Sequence, residues 1–245
     1  MSFANDATSF AATLVRLGRG ISPVVTTLRR PQPKQLLELY DFENCPYCRK
    51  VREVLCELDL DYVEHPVPQG SPRRERLRKL GGKVQVPFLV DPNTHTQLYE
   101  SDDIIDYLNE RYGKGQRAGW RVPVPSLVDD VVSGLASAAR YGRGTRARVD
   151  TPRHGVKRLA LYNMEGSPYC RKVREVLCEL DLEYVVHNVA TGSPKREELK
   201  KRGGKVQVPY LIDPNSGREM YESDDIVAYL EREYGPHRGR RRRRA

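Results

Sequence analysis

Apolar and polar positions change period along the chain in a fixed order. Leu37-Glu38-Leu39-Tyr40 alternates as a strand does, and beyond Cys48 the apolar residues Val51, Val54, Leu55 and Leu58 fall at helical spacing. Tyr62 and Val63 predict a second strand. Ser71-Pro72, with a polar run behind it, reads as a helix N-cap followed by proline at the first helical position. Val86 and Phe88-Leu89-Val90 predict a third strand, Asp91-Pro92-Asn93 a turn, and Gln97-Leu98-Tyr99 a fourth strand in hairpin relation to the third. A closing helix opens at Ser101, with Asp102 and Asp103 in its positive first turn and Ile104, Ile105 and Leu108 as its buried stripe. The order is βαβαββα.

That order returns. Leu36 to Gly113 aligns with Arg158 to Gly235 at a constant offset of 122 without an insertion, and about 50 of the 78 pairs are identical. Arg16-Leu17-Gly18-Arg19-Gly20 also resembles Arg140-Tyr141-Gly142-Arg143-Gly144, so each unit carries its own leader. The expected organisation is a helical leader and connector over 1–35, a first domain over 36–113, a linker with a helix over 114–157, a second domain over 158–235 and a basic tail over 236–245. Arg30-Pro31-Gln32-Pro33 and Val122-Pro123-Val124-Pro125 read as extended connectors, because proline fixes its own φ and disfavours helix in the residue before it.

Composition agrees with two small units. Apolar residues are 38% of the 245 and charged residues 31%, which suits two small domains with much surface better than one large globule. No run of about 18 uncharged apolar residues occurs, so a membrane-spanning helix is excluded and a soluble chain is expected. The formal charge of +9 suggests nucleic acid until the tail is set aside. Its six arginines, Arg238 and Arg240 to Arg244, leave only +3 for the rest, too little and too evenly mixed with acids for a phosphate-binding surface. The tail reads as a solvated, disordered segment. The first 35 residues have a transit-peptide composition, yet their echo in the second leader marks them as part of the repeat.

Five cysteines, two of them three positions apart, argue against a secreted disulfide framework and for a reducing, cytoplasmic setting. The pair is Cys45-Pro46-Tyr47-Cys48, where the first strand hands over to the first helix. There the unpaired N–H groups and the helix dipole favour a thiolate on Cys45, and Cys48, one turn on, reaches the same sulfur. The amides of Tyr47 and Cys48 and the cations Arg49 and Lys50 are the nearest further donors. A zinc site is not expected, since no second C-x-x-C or nearby Cys/His pair completes four ligands. Cys56 and Cys178 fall among Leu and Val inside a helix and read as small apolar filler. At Glu100-Ser101 the Ser101 amide and hydroxyl suit a carboxylate and Glu100 an ammonium, the two ends of an α-amino acid. Ser101 also reads as a plain N-cap and Glu100 as an exposed charge.

Together these residues resemble the glutaredoxins and the N-terminal domain of glutathione S-transferases, over both 78-residue units. Cys-Pro-Tyr-Cys is similar to the glutaredoxin dithiol sequence, and Val86-Pro87, followed by the Ser of Glu100-Ser101, to the glutathione S-transferase form of the glutathione site. The resemblance implies an α/β chain with two tandem thioredoxin-fold domains, and glutathione as cofactor. It implies a cis bond at Val86-Pro87 facing the C-x-x-C, Cys45 as nucleophile and Cys48 as resolving thiol. Val86 would pair with the cysteinyl part of glutathione as though adding a strand. Glu100 and Ser101 would hold its γ-glutamyl end and Lys83 and Gln85 its glycine carboxylate, with Tyr47 and Pro87 in the same site. The implied activity is glutathione-dependent thiol–disulfide oxidoreduction on glutathionylated or disulfide-containing proteins. Residues 114–157 are too few for the all-helical second domain of a glutathione S-transferase, so conjugation of bulky electrophiles is not expected. A non-enzymatic alternative, implied by some glutaredoxins, is an iron–sulfur cluster held between thiols and glutathione.

The second unit departs at one position. Ser167-Pro168-Tyr169-Cys170 has serine where the first unit has Cys45, while Val208, Pro209, Glu222 and Ser223 remain. The expectation is a degenerate glutathione-binding unit with its pocket kept and its redox step lost. Alternatives are a serine that activates glutathione by hydrogen bonding to its thiolate, as in some glutathione S-transferases, a lone Cys170 thiol, or a mere packing partner.

Overall fold

The computed structural model describes residues 7–9, 20–21, 32–113, 142–149 and 155–236. The expected leader helix, the helix of the linker and the basic tail lie for the most part outside them. In the first half the elements are β1 (Leu37–Asp41), α1 (Pro46–Glu57), β2 (Tyr62–Pro66), α2 (Arg73–Gly81), β3 (Phe88–Asp91), β4 (Thr96–Leu98) and α3 (Ser101–Gly113). In the second they are β5 (Leu159–Asn163), α4 (Pro168–Glu179), β6 (Tyr184–Asn188), α5 (Lys195–Gly203), β7 (Tyr210–Asp213), β8 (Arg218–Met220) and α6 (Ser223–Tyr234). Each half is βαβαββα, a thioredoxin fold. Helix α2 begins one residue later than its sequence suggests: Pro72 takes the cap position, and the Ser71 hydroxyl still accepts the Arg73 amide at 3.0 Å.

Strand β1 runs parallel to β2 and antiparallel to β3, which puts the β1–α1 junction at one end of the sheet; β5, β6 and β7 repeat the arrangement. Leu37 and Leu39 face Val51, Leu55, Ile104 and Leu108, and their counterparts Leu159, Leu161, Val173, Leu177, Ile226 and Leu230 belong to the same apolar cluster. That continuity follows from the join between the halves. Strands β2 and β6 pair antiparallel, Val63 against Val185, so one eight-stranded sheet runs β4-β3-β1-β2-β6-β5-β7-β8. Two strand edges that would otherwise be open templates cover each other.

The join is rich in charge. Every residue of α1 from Cys48 to Glu57 is buried, Arg49, Lys50, Arg52, Glu53 and Glu57 included. Charged side chains go inside only when paired, and much of the pairing here crosses between the halves in near two-fold fashion. Arg52 meets Glu165 at 3.2 Å and Arg174 meets Glu43 at 3.0 Å. Arg73 meets Asp181 at 2.8 Å, while Lys195 reaches Asp61 and the Asp59 carbonyl. His65 meets Glu183 at 2.6 Å and His187 meets Asp61 at 2.7 Å.

The symmetry breaks at one spot. Asp41 and Glu64 are diagonal neighbours on the sheet face under α1, and Asn163 and Val186 hold the equivalent places. Asp41 is bound by Arg52, whereas neither oxygen of the buried Glu64 carboxyl receives a hydrogen bond, and it meets the Asp41 carboxylate, to which only the protonated acid can donate.

Candidate active site

Proline at the first helical position and the extended backbone of Cys45 set the start of α1. The Cys45 sulfur acts as the N-cap acceptor, 3.4 Å from the Cys48 amide. The Cys48 thiol also donates to it and, with that amide and Arg52, holds the Cys45 thiol below its ordinary value against burial and the charge of Asp41. Burial pushes the Cys48 thiol well above the ordinary value, and its role as donor to Cys45 adds to this. One thiol is thus poised to ionise and its partner to keep its proton. The helping cation is Arg52, one turn further along than the sequence suggests; Lys50 turns instead to Asp102, at 3.0 Å. All five cysteines are free thiols. Cys56 and Cys178 are buried and bond the Gly20 and Gly144 carbonyls, both at 3.3 Å.

The remaining candidates connect to this helix start through the start of α3. Val86-Pro87 is cis. The Gln85 side-chain amide donates to Glu100, tying the loop that leads into the cis bond to the start of α3, where Ser101 is buried and Glu100 is exposed with φ of 62°. The Lys50–Asp102 pair ties α1 to the same helix start, beside the half-exposed Tyr47. Lys83 is exposed and lies over the Tyr99 ring, 4.4 Å from its centroid. It takes no part in the Gln85–Glu100 bridge.

The second half repeats this frame with Ser167 in place of Cys45. Val208-Pro209 is cis, and Gln207 donates to Glu222 at 2.8 Å. A cleft of about 390 Å³ is lined by Tyr169, Lys172, Gln207, Val208, Pro209, Glu222, Ser223 and Asp224, within the range of roughly 300–1,000 Å³ typical of small-molecule sites. Ser167 and Cys170 lie buried beside it, the Ser167 hydroxyl capping α4 by accepting the Cys170 amide at 3.3 Å. Burial pushes the Cys170 thiol up, which makes it a poor lone nucleophile. Lys172, Gln207 and Asp224 are lining residues that sequence reasoning passed over. The offset to Lys50, Gln85 and Asp102 was the signal for them.

A βαβαββα unit with a thiol capping its first helix and a cis-proline before its third strand is a thioredoxin-fold thiol protein. The chain belongs to the glutathione S-transferase N-terminal domain family, whose sequence profile matches residues 39–117 and again 161–238. It is similar to Glutaredoxin 3 of Escherichia coli strain K12, 31% identical over 51 residues, 21% of this chain and 61% of that protein. It is also similar to an uncharacterized glutaredoxin-like 8.6 kDa protein in the rubredoxin operon of Clostridium pasteurianum, 29% identical over 77 residues, 31% of this chain and all of that protein. A glutathione S-transferase-like protein of Beauveria bassiana is 34% identical over 80 residues, 33% of this chain and 37% of that protein. The chain therefore spans less than two thirds of the Glutaredoxin 3 it matches. No helix among the described residues is long and apolar enough to cross a membrane.

Proposed function

We propose that the chain is a glutathione-dependent thiol–disulfide oxidoreductase that works through Cys45 on glutathionylated proteins in the cytoplasm, its second half being a glutathione-binding unit without a redox step. The observation that carries this reading is the Cys45 sulfur capping α1, 3.4 Å from the Cys48 amide, and the electrostatics agree with it, drawing Cys45 below its ordinary value and Cys48 above it. The Cys45 thiolate attacks the glutathione sulfur of a mixed disulfide, and the protein thiolate leaves and takes a proton. Cys45 then carries glutathione until a second glutathione thiolate attacks, giving glutathione disulfide and the Cys45 thiolate. Attack by Cys48 instead gives the Cys45–Cys48 disulfide and free glutathione. Glutathione would lie extended along Val86, beside Tyr47 and Pro87, with its γ-glutamyl end at Glu100 and Ser101 and its glycine end toward Gln85 and Lys83.

The test is reduction of a glutathione mixed disulfide by full-length variants. Cys45→Ser should abolish turnover, whereas Cys48→Ser should keep much of it, since only the first sulfur has to attack when glutathione resolves the intermediate. Equal loss in both variants would show that the internal disulfide is obligatory. Unchanged turnover in Cys45→Ser would remove the reading altogether.

A further inference from the structure

The loop that carries Cys45 is built from both halves. Glu43, two residues before Cys45 and buried, accepts two bonds from the guanidinium of Arg174, one from Nε at 3.1 Å and one from Nη2 at 3.0 Å. The same guanidinium reaches Asn163 at 2.7 Å and the Glu165 carbonyl at 3.4 Å, so it is fixed from its own side. Arg52 grips the loop from within the first half through Asp41, the Glu43 carbonyl at 3.0 Å and the Glu43 carboxylate at 3.2 Å. Burial pushes Glu43 up, yet Arg174 and Arg52 hold it down at about 2, so it stays ionised.

The connector ahead of the second half completes the arrangement. Gly144, at φ +71°, packs so tightly on Glu43 that a Cβ there would lie 2.8 Å from the Glu43 Cβ. The next residue, Thr145, accepts a bond from Asn44 at 3.3 Å and, through its carbonyl, the Gln69 amide at 2.8 Å. Residues 43 and 44, the two that precede Cys45, thus both rest on the second repeat.

We propose that Arg174, on the half that lacks the nucleophile, is a positioning residue for Cys45: by clamping Glu43 it fixes the loop that presents the Cys45 sulfur to the Cys48 amide. This rests on the reading of Cys45 as the nucleophile. It gives the second half a part in the chemistry of the first that needs no reaction of its own.

The test uses the full chain and two readouts, the pH profile of Cys45 alkylation by iodoacetamide, followed on its peptide by mass spectrometry, and kcat and KM for a glutathione mixed disulfide. In Arg174→Met the buried Glu43 charge loses its clamp. Alkylation at neutral pH should slow by about tenfold or more, the profile should move to higher pH and kcat should fall more than KM rises. Arg174→Lys, which keeps the charge but only one contact, should fall between. Glu43→Gln/Arg174→Met, with the stranded charge removed, should recover most of the alkylation rate. Lys195→Met supplies the control, since it removes another buried cross-half cation, bound to Asp61 and the Asp59 carbonyl, away from this loop. Its Cys45 profile should match wild type.

An unchanged profile in Arg174→Met, or an equal shift in Lys195→Met, would overturn the proposal. If Arg174→Met does not fold, the lysine and double variants decide in the same way. Should Cys45→Ser keep full turnover, it is the functional reading that fails, and the alkylation profile still tests the clamp.

Discussion

Replacing Glu64 with valine, the residue at the equivalent position 186, should stabilise the chain at neutral pH. A buried polar group that receives no hydrogen bond costs about 1–3 kcal/mol, and neither Glu64 oxygen receives one, the carboxyl meeting Asp41 only as a protonated donor. Valine leaves a void of about two heavy atoms, a loss worth roughly 0.5–1.5 kcal/mol. The balance is a gain of about 1 kcal/mol, or ~2–4 °C in Tm for a chain of this size. The gain should grow with pH. Burial and then Asp41 push the Glu64 carboxyl well above its ordinary 4.5, with Arg52 opposing. The folded protein therefore keeps a proton that the unfolded chain gives up, and wild type loses stability as pH rises from 4.5 toward the folded value. Valine carries no such proton, and Glu64→Gln has none either while filling the same space. Urea melts read by circular dichroism from about pH 4.5 to 8 should show both variants drawing away from wild type as pH rises. A loss above about 1 kcal/mol in both variants at the upper end, or a difference that does not change with pH, would refute the reasoning. Either result would mean that Glu64 is ionised and well paired.

Two further outcomes are expected. Ser167→Cys in a Cys45→Ser background rebuilds Cys-Pro-Tyr-Cys beside the second cleft and should restore a measurable rate of mixed-disulfide reduction; a folded variant with no recovery would count against a ligand site there. Asp213 accepts from the Tyr229 and Tyr234 hydroxyls at 2.5 and 2.6 Å and from Asn215 at 2.8 Å, so Asp213→Ala should lower stability by about 3 kcal/mol in urea melts. Those bonds outweigh burial and draw the Asp213 carboxyl below its ordinary 3.8. Its contribution is therefore full above that value and lost as pH falls through the folded one, so Asp213→Asn and wild type should converge in strongly acidic melts.

Within each half, strands and helices were legible because period and punctuation agree there: Ser101 opens α3 as expected, and β1 ends one residue beyond Tyr40. The cis bond at Val86-Pro87 came from family resemblance and not from composition. How the halves join was hidden. On α1 the Val51, Val54 and Leu55 stripe marks one inward face, and Arg52 and Glu53 look like ordinary solvated charge, although they are buried at the join. The partners of Arg52 and Arg174 across the join, Glu165 and Glu43, lie more than a hundred residues away, at a separation no local pattern carries. The same blind spot hid Arg52 as the cation acting on Cys45. In helix periodicity it is one more polar position, and only the fold buries it among Asp41, Glu43 and Glu165, where its charge reaches the sulfur.

Pairing β2 with β6 inside one chain has a consequence for behaviour at low abundance. Two separate copies meeting through such a surface would part on dilution, whereas a tethered partner stays at an effective concentration on the order of millimolar whatever the amount of protein present. Tethering also frees the two surfaces from having to match themselves. A symmetric pair of first halves would bury Asp41 and Glu64 twice over around two copies of Arg52, but here the second half has Asn163 and Val186 at those places and keeps only Glu165, the counterpart of Glu43. The covalent link lets one side carry an excess of acid and both cysteines of the C-x-x-C while the other keeps Cys170 alone, and the two remain partners at any dilution.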